Sequence, residues 1–417
     1  MNRFLLTLSL LLFGFATRQS PAAEQLVTPG KLQQAINDAQ PYDVLYLQPG
    51  LYDRCPYVIP PHKPLAIRAL ACLPSTTITP WHRQLLPQIV ARRPARAFII
   101  AAGADGVELD GLWIRCVGPG RTYTAVELDG QAATNIHQLP KSIVLQRLFI
   151  ESDQQGELVR GIAADGANVR IRWNWIGNCV SQDHEAYAVQ AFNTPGPLWI
   201  VDNYLEASGI NVFLGGADSP LEAVPDGIEI ARNDIAKLLD WKGKRYVVKH
   251  LIELKSGSHV AIHDNALRNA WANEGVGDCE AILLKPTDQN GKGKANTVAH
   301  VQVHGNWIDR VFSGIRLSGG DAGPLHDIEV FGNRLHVDRA LQVGSGGNTN
   351  SVFALTDAEH EWVENVTLHD NVAEGNCAVT IRIQGARRFL LNVSVETEGL
   401  LRGSYGYFTK PLQNFTR

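Results

Sequence analysis

The sequence predicts an all-β fold, a right-handed parallel β-helix, and three observations lead to that prediction. An eight-residue template, apolar-x-apolar-x-x-Asn-x-apolar, recurs along the chain. Within each copy, apolar and polar residues alternate with the period of two that is typical of β-strands. The 417-residue chain also exceeds the size at which one compact core stops growing, about 250–300 residues. A solenoid, whose core lengthens coil by coil, is consistent with all three.

The template asparagines predict a ladder that runs along the solenoid. They are Asn174, Asn203, Asn233, Asn265, Asn306, Asn333 and Asn371. Their spacing of 27 to 41 residues fits one coil per repeat with loops of varying length. Stacked side-chain amides can hydrogen-bond from one coil to the next. Near the N-terminus, Thr28-Pro29 followed by KLQQAINDA predicts a capping helix over the open end of the first coil.

The first 23 residues have the composition of a signal peptide. Arg3 is followed by an apolar run from 4 to 16, and small residues gather at 20–23. The run is shorter than the roughly 20 residues that a membrane span needs. We therefore predict a signal peptide at 1–23 and a single β-helix domain at 24–417, without a membrane span and located in the periplasm or secreted. A retained N-terminal anchor is the alternative.

The charge distribution favours an anionic partner. The net charge of −4 argues against general nucleic-acid binding. Between Lys237 and Lys255, however, five lysines and Arg245 face only Asp240 and Glu253. Such a basic patch suits an acidic ligand. The alternative is a solvated edge that discourages aggregation between sheets.

Alignment of the repeats brings chemically suggestive residues onto one face. Parallel strands of adjacent coils lie about 4.8 Å apart, so equivalent positions become neighbours. The segments LIELKSG, AILLKPT and GIRLSGG begin at 251, 281 and 314. Their alignment predicts two columns, which are Lys255–Lys285–Ser318 and Glu253–Leu283–Arg316.

The cluster of Lys255, Lys285, Arg316 and Glu253 suits β-elimination from a uronate. That reaction removes a proton α to a carboxylate while the bond to the leaving sugar oxygen breaks. It needs a base, an acid and positive charge that stabilises the developing dianion. The lysines can transfer protons, and Arg316 can hold the carboxylate with two hydrogen bonds. The alternative is that both lysines only solubilise the strand.

Substrate-binding residues are predicted around the Lys255 coil. Trp241 and Trp271 lie in the flanking loops, where exposed rings could wall a cleft and stack on sugars. Lys242 and Arg245 belong to the basic segment and could bind acidic groups. No cysteine or histidine pattern predicts a metal site.

Hydrolysis would instead need two carboxylates on either side of the scissile bond. Nothing in the sequence pairs the available acidic residues, for which turn or solvation roles are favoured: Asp183, Glu185, Asp218, Asp226, Asp278 and Glu280. Two further columns are predicted from the template, Trp175 with Tyr204 and His263 with His304.

Over the mature chain, this arrangement resembles the pectate-lyase-like superfamily of right-handed β-helices. The stretch 226–286 is similar to exported bacterial β-helix proteins without an assigned activity. Residues 253–256, Glu-Leu-Lys-Ser, resemble a shortened form of the Glu-rich strand ending in Lys-Ser in alginate and chondroitin lyases of this fold. Lys285 stands where those lyases carry an arginine. Their calcium-binding glutamates correspond here to His250 and Val248, so the expected ligand pair for Ca²⁺ is not matched and no cofactor is predicted.

The resemblance implies a polysaccharide-active protein, a monomer whose partner is an anionic glycan. A lyase that cleaves a uronate-containing chain is the leading hypothesis. A non-catalytic glycan-binding or cell-envelope protein is the alternative, as is a glycoside hydrolase or epimerase in the same groove, so whether the chain is an enzyme stays open.

Overall fold

The computed structural model describes residues 22–273, 279–288, 296–343, 350–356, 363–377, 379–384 and 390–395. They form a right-handed parallel β-helix, in which three long parallel sheets surround one hydrophobic core. We name the sheets A, B and C in the order in which each coil visits them. The predicted fold class is confirmed. Residues 1–21, nearly all of the predicted signal peptide, lie outside the described residues.

Each sheet takes one strand from successive coils. Sheet A contains β1 (Glu24–Val27), β2 (Val44–Leu47), β5 (Leu65–Ala69), β8 (Val107–Asp110), β11 (Lys141–Gln146), β14 (Ala167–Arg172), β17 (Gly196–Val201), β20 (Asp226–Ala231), β23 (Gly257–His263), β26 (Val298–His304), β29 (Leu325–Phe331), β32 (Val363–His369) and β35 (Leu390–Val395). Sheet B contains β3 (Leu51–Tyr52), β6 (Gln88–Arg92), β9 (Trp113–Val117), β12 (Phe149–Ser152), β15 (Trp175–Cys179), β18 (Tyr204–Ala207), β21 (Asp234–Ala236), β24 (Ala266–Ala270), β27 (Trp307–Val311), β30 (Arg334–Asp338) and β33 (Val372–Asn376). Sheet C contains β4 (Tyr57–Ile59), β7 (Phe98–Ile100), β10 (Arg121–Leu128), β13 (Glu157–Ala164), β16 (Tyr187–Ala191), β19 (Val212–Leu214), β22 (Ile252–Leu254), β25 (Glu280–Leu284), β28 (Ser313–Ser318), β31 (Ser351–Thr356) and β34 (Val379–Gln384).

The helices are short. The residues that the structure describes contain one α-helix, α1 (Leu32–Asp38), and four 3₁₀ turns, at Arg83–Leu85, Ile136–Gln138, Leu239–Trp241 and Arg339–Leu341. Among the described residues, no helix has the length and apolar character that crossing a membrane requires.

The template asparagines form the predicted ladder at the turn from sheet A to sheet B. The Asn265 side-chain oxygen accepts hydrogen bonds from the main-chain N–H and the side-chain amide of Asn233, both at 3.0 Å. Its own amide donates to the carbonyl oxygen of Ile230 at 2.8 Å and to the side-chain oxygen of Asn306 at 2.9 Å. The whole column is buried. It therefore satisfies polar groups that the sharp turn would otherwise leave unpaired in the core.

The residue before each ladder asparagine adopts the left-handed backbone conformation. These residues are Trp173, Asp202, Arg232, Asp264, Gly305, Gly332 and Asp370, with φ between 52° and 63°. Two of the seven, Trp173 and Arg232, are neither Gly nor Asp, residues that adopt this conformation at lower cost. The ladder hydrogen bonds help to offset that cost, so the turn depends on the asparagine more than on its neighbour.

Helix α1 closes the N-terminal end, as predicted, although it begins at Leu32 and not at Pro29. Leu32, Ala35 and Ile36 are buried against the first coil. The Gln33 side chain pairs with the edge strand β4: its amide donates to the Val58 carbonyl at 3.0 Å, and its oxygen accepts from the Val58 N–H at 2.8 Å. The helix therefore covers both the core and the edge of sheet C.

Candidate functional site

The outer face of sheet C carries the four predicted catalytic residues. The strand register aligns Glu253 with Leu283 and Leu283 with Arg316, so these three form one column. The register also aligns Leu254 with Leu284, which places Lys255 beside Lys285 in the next column. The predicted columns are present, and the chemical roles of their residues stay predictions.

Lys255 is held close to a buried carboxylate. Its Nζ lies 3.7 Å from the Glu253 Oε1 and 5.3 Å from the centroid of the Phe213 ring. The Glu253 side chain is 6% exposed, whereas that of Lys255 is 23% exposed. A side chain at Gly216 would collide with the Lys255 Cδ, so the glycine leaves room for the lysine. Lys255 is thus anchored from one side and open to solvent from the other.

A second ion pair lies on the same face and joins the start of the Lys255 coil to the coil two before it. Lys249 pairs with Glu185, and the Tyr187 hydroxyl donates to the Glu185 Oε2 at 2.8 Å. Burial raises the pKa of Glu185, but the hydrogen bond and charge of Lys249 outweigh it and hold that pKa below its usual value. Burial, followed by the charge of Glu185, raises the pKa of Tyr187 well above its usual value. The carboxylate is therefore ionised and the hydroxyl protonated at neutral pH.

A third carboxylate, Glu280, orients Arg316. Glu280 is fully buried, and its Oε2 lies 2.9 Å from the His250 Nδ1 while its Oε1 lies 3.4 Å from the Arg316 Nη1. Burial acts to raise the pKa of Glu280, but the hydrogen bond and charge of His250 and the charge of Arg316 lower it overall. The Arg316 Nε also donates to the Thr356 hydroxyl at 3.2 Å. Arg316 is therefore fixed between two coils.

The predicted exposure of Trp241 and Trp271 is wrong. Trp241 is 4% exposed and Trp271 is 0% exposed, and both pack in a small hydrophobic cluster with Val248 and Phe312. The long loop at the corner between sheets B and C needs a core of its own, and the two tryptophans provide it. Their ring faces cannot stack on a sugar.

The basic segment is less basic at the surface than the sequence indicates. Lys237 is fully buried, and its Nζ donates to the carbonyl oxygens of Ala207, Gly209 and His250 and to the Asn211 side chain at 2.7 to 3.2 Å. Burial lowers the pKa of Lys237 to about 7. With Lys249 paired to Glu185 and Lys255 beside Glu253, three of the five lysines are already engaged.

The two remaining predicted substrate-binding residues lie on the corner loop. The Lys242 Nζ donates to the carbonyl oxygen of Ala340 at 3.4 Å, which ties it to a loop three coils further on. Arg245 is exposed. Both lie at the rim between sheets B and C, and their role in binding stays a prediction.

The residues at the positions of the calcium ligands do not fit calcium. Ca²⁺ takes about 6–8 oxygen ligands. Val248 is part of the buried hydrophobic cluster, and the imidazole of His250 faces Glu280. Within the described ranges, no group of three His, Cys, Asp or Glu side chains is close enough to hold a metal ion. We therefore derive no chemical step through calcium.

Sequence reasoning missed the partners that organise this face. The sequence favours a loop position for Glu280, but Glu280 begins strand β25. The strand register places it opposite His250 of the preceding coil. Alignment of HLIELK with EAILLK contained that signal, because it sets His250 opposite Glu280. Glu185 and Lys249 meet from two loops without repeat-like sequence, so no comparable signal existed for them.

The two other predicted columns are confirmed away from sheet C. The rings of Trp175 and Tyr204 stack with centroids 3.8 Å apart on sheet B, and those of His263 and His304 stack at 4.9 Å on sheet A. A groove of about 420 Å³ lies beside the histidines on sheet A, with His259 and His300 in its wall. None of these groups contacts the Lys255 cluster.

Asp165 gives this face a pH-dependent stability. It is fully buried directly after β13, and burial raises its pKa from 3.8 to about 6. Hydrogen bonds from two main-chain N–H groups lower the pKa but do not outweigh the effect of burial. The folded protein therefore binds this proton more tightly than the unfolded chain, so its stabilising contribution is lost as the pH rises through about 6. We expect wild-type stability to fall by about 3 kcal/mol between about pH 4 and pH 7.5 because of this group.

The variant Asp165→Asn should lack the part of the pH-dependent stability that Asp165 contributes, since an amide does not titrate. Urea unfolding of both proteins at the two pH values measures it, with Asp38→Asn on the exposed end of α1 as the control. Equal pH dependence in wild type and Asp165→Asn would contradict the assignment.

Comparison with known proteins supports the fold. No family model matches the chain, and no curated protein matches it in sequence. A mannuronic acid-specific polysaccharide family 6 lyase from human gut microbiota superposes with a TM-score of 0.50 and 12% identity, over 90% of this chain and 87% of that one. The alginate lyase AlyF-OU02 gives 0.51 and 12%, over 91% and 80%. The catalytic domain of a GH87 α-1,3-glucanase gives 0.55 and 13%, over 94% and 69%. This chain therefore has the parallel β-helix fold found in these polysaccharide-cleaving enzymes.

Proposed function

We propose that this protein cleaves an acidic, uronate-containing polysaccharide by β-elimination on the outer face of sheet C. The observation that carries the proposal is the convergence of Lys255, Lys285 and Arg316 on adjacent coils of one face, beside buried carboxylates that orient them. The coil spacing of about 4.8 Å is close to the rise of one sugar in an extended glycan. Successive coils can therefore present side chains to successive sugars.

The proposed reaction uses the residues as follows. The guanidinium of Arg316 binds the uronate carboxylate and stabilises the negative charge that develops on it. The unprotonated amine of Lys255 takes the proton from the carbon α to that carboxylate. The electron pair of the broken carbon–hydrogen bond forms a carbon–carbon double bond as the bond to the leaving sugar oxygen breaks. Lys285 gives a proton to that oxygen, so the products are an unsaturated uronate and a free hydroxyl.

The buried carboxylates have supporting roles in this scheme. Glu280 holds Arg316 from below, and Glu253 lies beside Lys255. Together they hold Arg316 and Lys255 in place without occupying the solvent side of this face of sheet C. Preorganised charge of this kind is usually the largest single contribution to catalysis.

The proposal extends to the cellular context that the sequence predicts. A polysaccharide substrate fits a mature chain of 24–417 that acts in the periplasm or outside the cell as a monomeric β-helix. Its partner is then the glycan itself, bound along sheet C.

The function is tested with the mature protein and a panel of alginate, pectate, hyaluronan and chondroitin. We expect a rise in near-ultraviolet absorbance, from the new double bond, with one of these polymers. The carboxyl-reduced form of that polymer should give no signal, because Arg316 and the elimination both need the carboxylate. Absence of unsaturated product with every uronate polymer would reject the lyase.

A glycoside hydrolase is the second candidate, because three carboxylates, Glu185, Glu253 and Glu280, lie on the same face. It would release reducing ends without ultraviolet absorbance and would retain activity in Lys255→Ala. An epimerase would alter uronate stereochemistry without shortening the chain, and a binding protein would bind without turnover. The same incubation therefore distinguishes all four.

A further inference from the structure

We propose that Arg160 forms a second carboxylate-binding subsite on the outer face of sheet C, three coils before Lys255. The inference rests on the proposed function, because it extends the proposed glycan-binding face of sheet C to another uronate of the same glycan chain. Arg160 lies in strand β13 and is aligned with Tyr187 of the next coil. Tyr187 in turn belongs to the Glu185–Lys249 group described above.

Arg160 has no acidic partner of its own. In the part of the chain that the structure describes, no carboxylate forms an ion pair with it, and its Nε is buried without a hydrogen-bond partner. The charge of Arg160 acts to lower the pKa of Glu127 and of Asp165, although burial raises both overall. Glu127 is paired with Arg96, and Asp165 accepts two main-chain N–H groups. Arg160 is half-buried and has no carboxylate partner among the described residues, so the exposed part of its guanidinium suits a carboxylate from outside the protein.

An aromatic cluster fixes the position of this guanidinium. The Arg160 Cζ lies 5.4 Å from the centroid of the Phe192 ring. Phe192 meets Phe213 edge to face, with centroids 5.7 Å apart, and Phe213 is the ring beneath Lys255. Tyr187 completes the cluster by stacking on Phe213 at 5.3 Å. Arg160 and Lys255 thus both contact one aromatic cluster, at Phe192 and Phe213 respectively.

A buried amide lies in the same cluster. Gln190 is fully buried, and neither its Nε2 nor its Oε1 has a hydrogen-bond partner. The register places it beside Phe213, between Arg160 and the Lys255 coil. A buried amide without partners is costly. Because Gln190 is fully buried, it adds to the packing beneath the subsite, and Arg160 is the residue that would contact the ligand.

The spacing predicts which ligands reach Arg160. Strands β13, β16, β19 and β22 follow one another in sheet C, so three steps of about 4.8 Å separate the Arg160 coil from the Lys255 coil. That separation is close to three pyranose residues of an extended chain. A hexasaccharide can therefore occupy both positions, whereas a disaccharide bound at Lys255 cannot.

The experiment compares disaccharides and hexasaccharides of galacturonate, mannuronate and guluronate by isothermal titration calorimetry and steady-state kinetics. In Arg160→Ala, we expect the hexasaccharide Kd and KM to rise about tenfold or more, as the loss of a charged hydrogen-bonding group implies. The disaccharide constants should change less than about twofold, and kcat should stay the same, since Arg160 is remote from the bond that breaks. Arg160→Lys, which keeps the charge but not the two-pronged donor, should give an intermediate loss.

Arg170→Ala is the matched control. Arg170 also covers an aromatic ring, that of Trp199 at 4.8 Å, but on sheet A. The Arg170→Ala variant should leave the Kd, KM and kcat for both oligosaccharide lengths unchanged. Thermal unfolding of each variant shows whether it is folded. If Arg160→Ala does not fold, the hexasaccharide Kd and KM of Arg160→Lys test the subsite.

The outcomes separate this subsite from the proposed reaction. Cleavage of uronates with a hexasaccharide Kd unaffected by Arg160→Ala overturns the subsite and leaves the lyase standing. Arg160-dependent hexasaccharide binding without cleavage supports the subsite and rejects the lyase. Failure of the wild-type protein to bind any of the hexasaccharides overturns the subsite.

Discussion

Lys255→Ala is expected to lower the rate of glycan cleavage by at least about 10²-fold. The substitution removes the amine that takes the proton, while Arg316 and its buried partners stay in place. Substrate binding should therefore change little, so the loss should be in kcat and not in KM. The measurement is the initial rate of unsaturated product on the polymer that wild type cleaves.

Lys244→Ala is the control for this prediction, because Lys244 is an exposed lysine in the same basic segment. It should retain wild-type kcat. Full activity of Lys255→Ala with intact folding would remove Lys255 from the mechanism and favour the hydrolase, whose chemistry would use the carboxylates of the same face.

Asn265→Ala is expected to lower the free energy of unfolding by about 3–5 kcal/mol. Asn265 is a central rung of the ladder, and its replacement removes four buried hydrogen bonds, two donated by Asn233, one accepted by the Ile230 carbonyl and one accepted by the Asn306 side-chain oxygen. Each is buried, so water cannot replace the lost hydrogen bond. Urea unfolding followed by circular dichroism measures the change.

Asn37→Ala is the corresponding control. Asn37 is exposed on α1, where it accepts one hydrogen bond from Gln33. Its replacement should change the stability by less than about 0.5 kcal/mol. A similarly small effect at Asn265 would show that the ladder contributes little, and the repeated asparagines would then need another explanation.

The fold could be predicted because the same local physics is repeated in every coil. Each template encodes two inward-facing apolar residues, a sharp turn and a ladder asparagine. One correct interpretation of the template therefore applies to all the coils that contain it. The same periodicity predicted the two columns around Lys255. It also contained the His250–Glu280 pairing, which is a contact between equivalent positions of adjacent coils.

The loops could not be predicted in this way. Trp241, Trp271 and Lys237 lie in segments that no repeat constrains, and their burial depends on how the corner loop folds onto itself. A lysine inside such a loop has the same sequence signature as one at the surface. The sequence therefore overestimates the exposed basic patch, whereas its alignment of Lys255 with Lys285 and of Glu253 with Arg316 agrees with the strand register.

The pairing of Gln33 with Val58 has a consequence for how this protein behaves at high concentration. A solenoid ends in strands whose unsatisfied main-chain groups can recruit another chain and start a fibre. On sheet C, the amide of Gln33 supplies one donor and one acceptor to Val58, as an incoming strand would. A single side chain thus satisfies both main-chain groups of Val58, and we expect it to hinder the addition of a strand from a neighbouring molecule to the N-terminal end of sheet C.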